Sequence, residues 1–179
     1  MTDNILLKNV RISFPCLFQR STFDGKEGKY SANFMLDPQQ HRTELKEIKA
    51  QINALIKDRL KGRVLPPEKL CLRAGEDKGR PEYEGVYVIT ASNDVRPIVL
   101  NKDKSMVTED DNLIYSGCRV NASLSLWVQN NQFGKRINAT LRGVQFCGDD
   151  TPLNGTYVDP EVVVDEFDML NVHDDFLEA

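Results

Sequence analysis

The sequence is poor in the residues from which most enzymes build their chemistry. Of 179 residues, 2 are histidine (His41 and His173) and 4 are cysteine (Cys16, Cys71, Cys118 and Cys147). No two cysteines form a C-x-x-C pair, so neither a zinc ligand set nor a disulfide framework is laid out. The cysteines read as reduced thiols of a cytoplasmic protein. G-x-x-x-x-G-K-[ST], G-x-G-x-x-G, G-x-S-x-G and H-E-x-x-H are all missing. The acidic runs Glu109-Asp110-Asp111 and Asp149-Asp150 fall in loop-like stretches, where carboxylates are solvated rather than converging on a metal. The expectation is a protein that is not an enzyme and uses no metal or cofactor. No window approaches the roughly 18 consecutive apolar residues of a membrane helix. Met1-Thr2-Asp3-Asn4-Ile5 has no basic region followed by an apolar stretch, so no secretory signal is expected there. Neither a membrane nor a small-molecule substrate is expected as partner.

Basic residues are missing from one stretch altogether. Residues 143–179 carry no Lys or Arg and 10 acids, while residues 1–148 hold all 23 basic side chains against 17 acids. The net charge of −4 therefore hides a body of +6 and a tail of −10. Taken whole, a pI near 5.3 argues against nucleic acid; taken by segment, the chain has a basic body that admits it. Residues 148–160 (GDDTPLNGTYVDP) have the turn residues of a linker. The expected division is a body over 1–148 and an acidic, flexible tail over 149–179. Within the tail, Asp165, Glu166, Phe167 and Asp168, then Asp174, Asp175, Phe176 and Glu178, set acids around aromatics. Such alternation suits a segment that docks in a basic-rimmed groove, as an autoinhibitor or a partner contact. A solubilising tail, or a terminal helix packed on the body through Phe167 and Leu170, accounts for the same residues.

The body reads as mainly β. Residues 5–14 alternate in part, with Val10, Ile12 and Phe14 on one face and Arg11 and Ser13 on the other. Tyr30, Ala32, Phe34 and Leu36 mark a second strand. Asp37-Pro38-Gln39-Gln40 announces a helix, continued by Leu45, Ile48, Ile52, Leu55, Ile56 and Leu60 at helical spacing up to Gly62. Residues 71–85 are a charged, Gly-rich loop, 86–92 a strand, and 95–100 a short edge strand. In 118–129, Cys118, Val120, Ala122, Leu124, Leu126 and Val128 fill one face. The return strand follows a hairpin loop at 130–134, and its apolar parity changes at Gly143, which predicts a bulge. Five or six strands and one amphipathic helix suit a small, closed or half-closed antiparallel barrel.

The polar face of the long hairpin is the candidate site. Trp127 is the only Trp, and its parity places it beside Arg119, Arg136 and Arg142. An aromatic on a cationic face is a platform on which any base can stack, with flanking cations for the phosphates. Phe133 and Lys135 extend it at the hairpin tip, and Arg11 continues it on the first strand. Arg73, Lys78, Arg80 and Tyr83 interleave charge and aromatics in the loop before the third strand, as do Phe23 and Lys29 in the first loop. A core role for Trp127 stays open at this point, as does a solvated-surface role for the loop cations.

NVRISFPCLFQ (9–19), KYSANFMLDP (29–38), EGVYVITAS (84–92), IYSGCRVNASLSLWV (114–128) and LRGVQF (141–146) resemble the single-stranded DNA-binding proteins of tailed phages, those of enterobacterial phages closely. The likeness runs over nearly the whole chain. It implies a five- to six-stranded antiparallel barrel of the oligonucleotide/oligosaccharide-binding (OB) kind that coats single strands in phage DNA replication or recombination, in the host cytoplasm. It also implies a tail that contacts replication or recombination proteins and occupies the groove when DNA is absent. The helix falls between the second and third strands, not after the third as in the commonest OB layout. Two other functions remain open: a strand-annealing recombination mediator, and a DNA-mimicking protein-interaction module.

Overall fold

Apolar residues at every second position decide the strands, and they close into a ring. The structure, a computed structural model, describes residues 4–153 and 160–170. In chain order the elements are β1 (Ile5–Cys16), β2 (Thr22–Phe23), β3 (Lys26–Glu27), β4 (Tyr30–Leu36), α1 (Arg42–Arg59), β5 (Leu72–Ala74), β6 (Tyr87–Asn93), β7 (Ile98–Leu100), β8 (Arg119–Asn131), β9 (Gly134–Gly148) and α2 (Pro160–Asp165). β1 pairs with β4 and β8, β4 with β6, and β8 with β9. A β6–β9 pairing, Ser92 opposite Thr140, closes the barrel.

Four of the five seams are antiparallel, and the closing seam is parallel. The expected antiparallel barrel is thus closed with one parallel seam, because direction cannot alternate all the way round an odd number of strands and one pair has to run the same way. β7 continues the parallel pairing further along β9, and β5 adds to β6. The expected bulge is present: Ser123 faces Gly143 and Leu124 faces Leu141, leaving Arg142 as the extra residue.

The inward residues Ile12, Phe34, Ile89, Leu124, Leu126, Ile137 and Leu141 are fully buried, and Leu45, Ile48 and Ile52 of α1 join their cluster. Each such side chain stabilises the fold by about 1.5–3 kcal/mol. The helix begins one turn later than its sequence implies: α1 starts at Arg42 with His41 at its N-cap, and Asp37 caps the turn that leads into it. Asp37 Oδ1 accepts the N–H groups of Gln39 and Gln40 at 2.8 and 3.0 Å. The buried His41 ring accepts the Asp37 N–H at 2.8 Å and meets the Asn9 carbonyl at 3.0 Å, so this histidine is a structural tie between helix and β1.

Two expectations about side-chain direction fail here. Phe14 was placed inside with Val10 and Ile12; it is 40% exposed. Its backbone is left-handed (φ 49°), as is that of Asn9 (φ 52°), and each such residue breaks the in–out alternation of β1. Tyr83 was placed on the surface; it is 1% exposed, its hydroxyl paired with Ser13 Oγ at 2.7 Å and its ring packed with Met35 and Val88. The loop that carries it is drawn onto the barrel at Gly75, whose N–H donates to the Val86 carbonyl at 2.7 Å and where a Cβ would strike the carbonyls of Tyr83 and Val86.

The chain beyond residue 148 first runs along the barrel. Asp150 Oδ2 lies 2.9 Å from Arg119 Nε and 3.5 Å from Arg11 Nε. Arg11 also donates to the carbonyls of Gly117 and Thr151, Tyr115 Oη donates to Asp149, and the Leu153 N–H donates to the Ser116 carbonyl. Residues 149–153 are thus held at the β1–β8 edge. Beyond them, Val164, Phe167, Met169 and Leu170 are all exposed.

Partial burial pushes the Asp150 carboxyl up, but the Thr151 N–H, Arg119 and Arg11 outweigh it and hold it below its ordinary value of 3.8. A carboxyl depressed in the folded state adds stability above its unfolded pKa and loses it as pH falls through the folded value. Asp150→Asn is expected to cost about 1 kcal/mol at neutral pH, and the gap to wild type should close below about pH 4. Urea unfolding of both proteins at neutral and acid pH measures this; a gap that persists in acid contradicts it.

Candidate nucleic-acid interface

The parallel seam sets the outward residues of β6 beside those of β9. Going across the outer surface, Trp127 on β8 pairs with Asn138 on β9, Thr140 on β9 pairs with Ser92 on β6, and Thr90 on β6 pairs with Asn33 on β4. A depression of about 450 Å³ lies between Lys29, Trp127, Phe133, Arg136 and Ser92. It runs into a second of about 200 Å³ between Arg73, Lys78 and Thr90, with Ser92, Arg136 and Asn138 shared by both. The result is one groove with aromatics at one end, cations along it and small polar side chains on its floor.

Trp127 is 41% exposed and Phe133 75% exposed, so the indole is not core and both rings stand open. Phe133 is presented by a tight turn in which Asn131 Oδ1 accepts its N–H at 2.9 Å. The cations are held in place. Arg136 Nη2 and Arg73 Nη2 both donate to the Glu68 carbonyl, at 2.9 and 2.7 Å, which fixes two guanidiniums side by side. Lys78 Nζ donates to Thr90 Oγ1 at 3.3 Å, and Thr90 in turn donates to Asn33 Oδ1 at 2.6 Å. Burial pushes the Lys78 ammonium below its ordinary value of 10.5, and Arg73 adds to the effect. An anion in the groove would relieve both costs. Lys29 lies at the rim, 3.9 Å from Asp94. The groove also contains Cys71, but burial pushes its thiol up to about 12, so it is a protonated wall and not a nucleophile. Among the described residues no group of three or more His, Cys, Asp or Glu could hold a metal, and no helix is long and apolar enough to cross a membrane.

The structure brings Lys29, Arg73, Lys78, Trp127, Phe133 and Arg136 together. It does not bring the other candidates. Arg11 and Arg119 face outward as alternation requires, but they are engaged with Asp150 at the barrel edge. Arg142 donates to Ser123 Oγ at 3.2 Å and borders a separate apolar depression with Leu6 and Ile98. Lys135 alternates to the opposite face of the hairpin from Arg136. Tyr83 is core, so it offers no ring to a ligand. Arg80 is exposed beside Glu82 and Phe14. The side chain of Phe23 and the residues Asp174, Asp175, Phe176 and Glu178 lie outside the described part; Asp165, Glu166, Phe167 and Asp168 are exposed.

Sequence reasoning missed the amide floor, where Asn138 Nδ2 donates to Gln129 Oε1 at 3.0 Å, and the stacking of Arg20 on Tyr30 at 5.1 Å. The outward parity of Gln129 and Asn138 was the available signal for the first. Nothing local signalled the second.

Residues 3–177 match the family model described as the ssDNA-binding protein of Enterobacter phage Enc34. A putative protein p50 of Acyrthosiphon pisum secondary endosymbiont phage 1 is 36% identical over 178 residues, 94% of each chain. The single-stranded DNA-binding protein from bacteriophage Enc34 in complex with ssDNA superposes with a TM-score of 0.74 at 33% identity, covering 84% of this chain and 89% of that one. A second structure of the single-stranded DNA-binding protein from bacteriophage Enc34 gives a TM-score of 0.75 at 33% identity, over 90% of this chain and 89% of that one.

An indole this open should emit as a solvated one in the folded protein. Acrylamide quenching of the single Trp is expected to approach that of the unfolded chain in denaturant. Strong protection in the native state would show that Trp127 is covered.

Proposed function

This chain belongs to the family of the Enterobacter phage Enc34 ssDNA-binding protein, and we propose that it binds single-stranded DNA without sequence preference along the groove between Trp127 and Lys78. The observation that carries the reading is the pair of guanidiniums, Arg136 and Arg73, fixed by one carbonyl beside two open aromatic rings. Bases stack on Trp127 and Phe133, which present faces and no base-reading code. Phosphates meet Arg136, Arg73, Lys78 and Lys29, whose positions are set before the strand arrives, so little side-chain freedom is lost on binding. The Asn138, Gln129, Ser92 and Thr90 side chains satisfy sugar and phosphate oxygens on the groove floor. The role is coating and protection of single strands in phage replication or recombination, in the host cytoplasm, and it requires no bond-making step. The relative whose description places it in complex with ssDNA supports this use of the shared barrel.

We extend the reading to the acidic tail. Asp150 is clamped at Arg11 and Arg119 and Asp149 at the Tyr115 hydroxyl, so the remaining acids are tethered to a body of net positive charge. A tethered polyanion raises the cost of bringing a second one to that body. The clamp holds residues 149–153 against the body, so competition for the groove falls to the acids that follow Leu153 in sequence.

Titration with labelled oligonucleotides should show affinity falling with salt, each phosphate contact contributing a slope of about −0.7 on a log–log plot. Trp127→Ala is expected to weaken binding by about 1–3 kcal/mol without a change in thermal stability. Salt-independent or absent binding would remove the proposal. Truncation after Leu153 should tighten binding at low salt, and the gain should shrink as salt rises. Equal affinity of the two forms at low salt would remove the tail's role.

A further inference from the structure

Phe14 does not behave like the other residues of β1. A phenylalanine in the left-handed region, here at φ 49°, is strained, and strain of that kind persists only where the surroundings impose it. What the strain achieves is visible: it turns an aromatic out of the barrel to 40% exposure, where the Arg80 guanidinium lies 4.3 Å from the ring centroid. The Phe14 N–H is held by Ser116 Oγ at 3.2 Å, and Arg80 Nε is held by Glu82 at 2.7 Å. An aromatic and a cation are thus fixed at each end of one outer surface, Trp127 with Arg136 at the β8–β9 end and Phe14 with Arg80 at the β1 end.

The two ends are linked by a chain of contacts, in which Ser13 is itself buried beneath Tyr83 and the exposed connection is the loop that carries Lys78 and Arg80. The groove floor reaches Thr90, Thr90 donates to Asn33, and Asn33 pairs with Ser13 and donates to its carbonyl at 3.3 Å. Ser13 is the residue before Phe14, and Arg80 lies two residues beyond Lys78, which lines the groove. Four strand-to-strand steps separate β8 from β1 by way of β9, β6 and β4. At about 4.8 Å each, that is about 19 Å of path.

We infer that Phe14 and Arg80 form a second nucleotide-stacking station, so that a bound single strand runs from Trp127 across β9 and β6 and then over the loop bearing Lys78 and Arg80 to Phe14. The inference rests on the single-strand-binding role proposed above and extends its site. A base takes the place of the guanidinium on the Phe14 ring. The displaced guanidinium, still held by Glu82, meets the phosphate beside that base. Pairing of Arg80 with Phe14 in the free protein keeps the ring from collapsing onto the barrel.

The test uses the full chain and oligothymidylates of about 4 and about 16 nucleotides, lengths that span the range of sites on one such barrel. Phe14→Asn removes the ring and keeps a residue that tolerates the left-handed backbone, so the fold is not put at risk. Quenching of Trp127 reports occupancy of the far end. The variant is expected to bind the long oligomer about fivefold or more weakly, to bind the short one within twofold of wild type, and to melt no lower. Arg80→Gln should reduce the salt slope for the long oligomer by about 0.7 and leave the short one unchanged. A 5-bromouracil oligomer should crosslink to the peptide containing Phe14. Unchanged affinity of Phe14→Asn for the long oligomer, with no such crosslink, overturns the second station while leaving Trp127 binding intact. Equal weakening at both lengths with a lowered melting temperature also overturns it, because that is the signature of a structural role. Loss of Trp127 quenching in the wild type at both lengths overturns the single-strand-binding reading itself.

Discussion

Closing five strands into a ring forces one parallel seam, and the candidate groove depends on it. β6 and β9 are far apart in sequence, yet the Ser92–Thr140 pairing sets their outward faces edge to edge. Without that seam, Thr90 and Ser92 would belong to one surface and Trp127, Asn138 and Arg136 to another. The buried side of the same strands explains why the seam is stable. Ile89, Ala91, Ile137, Ala139 and Leu141 face inward at or near full burial, so a slip of one residue would expose apolar side chains and bury Arg136 or Asn138. The hydrophobic pattern that closes the barrel is thus what keeps the polar groove in register.

The groove is built from side chains that are already restrained. Glu68 orients Arg73 and Arg136, Thr90 orients Lys78, and the bulge at Arg142 takes that cation away toward Ile98. Holding Lys78 partly buried and beside Arg73 raises the energy of its charged form in the unliganded state, and its lowered pKa is the trace. A polyanion is the ligand whose binding relieves that tension, through release of its own counterions as well as by direct contact. The loop carrying Lys78 and Arg80 can hold this position because Tyr83 and Gly75 anchor it to the barrel.

Opposite charges are also divided in space. Arg11 and Arg119 together neutralise one acid of the C-terminal segment, Asp150, at the β1–β8 edge, away from Trp127. That clamp gives the acidic segment a fixed origin on the body. Charge that looked like part of a binding face in the strand pattern is used instead to anchor the chain.

Much of the fold was legible in the sequence because alternation and capping are local. The strands around Phe34, Ile89, Leu126 and Leu141, the helix carrying Leu45, Ile48 and Ile52, and the bulge at Gly143 all follow from neighbours a few residues apart. The exposure of Trp127 and the company of Arg136 follow from the same parity. What needed the tertiary structure was everything decided between distant segments. The parallel seam joins residues 92 and 140, the burial of Tyr83 depends on Ser13, and the fate of Arg11 and Arg119 depends on Asp150. Parity says which side of a strand a side chain leaves from; it does not say what another part of the chain lays over that side. For Phe14 even parity failed, because a left-handed backbone, held by Ser116 about a hundred residues away, reversed its direction.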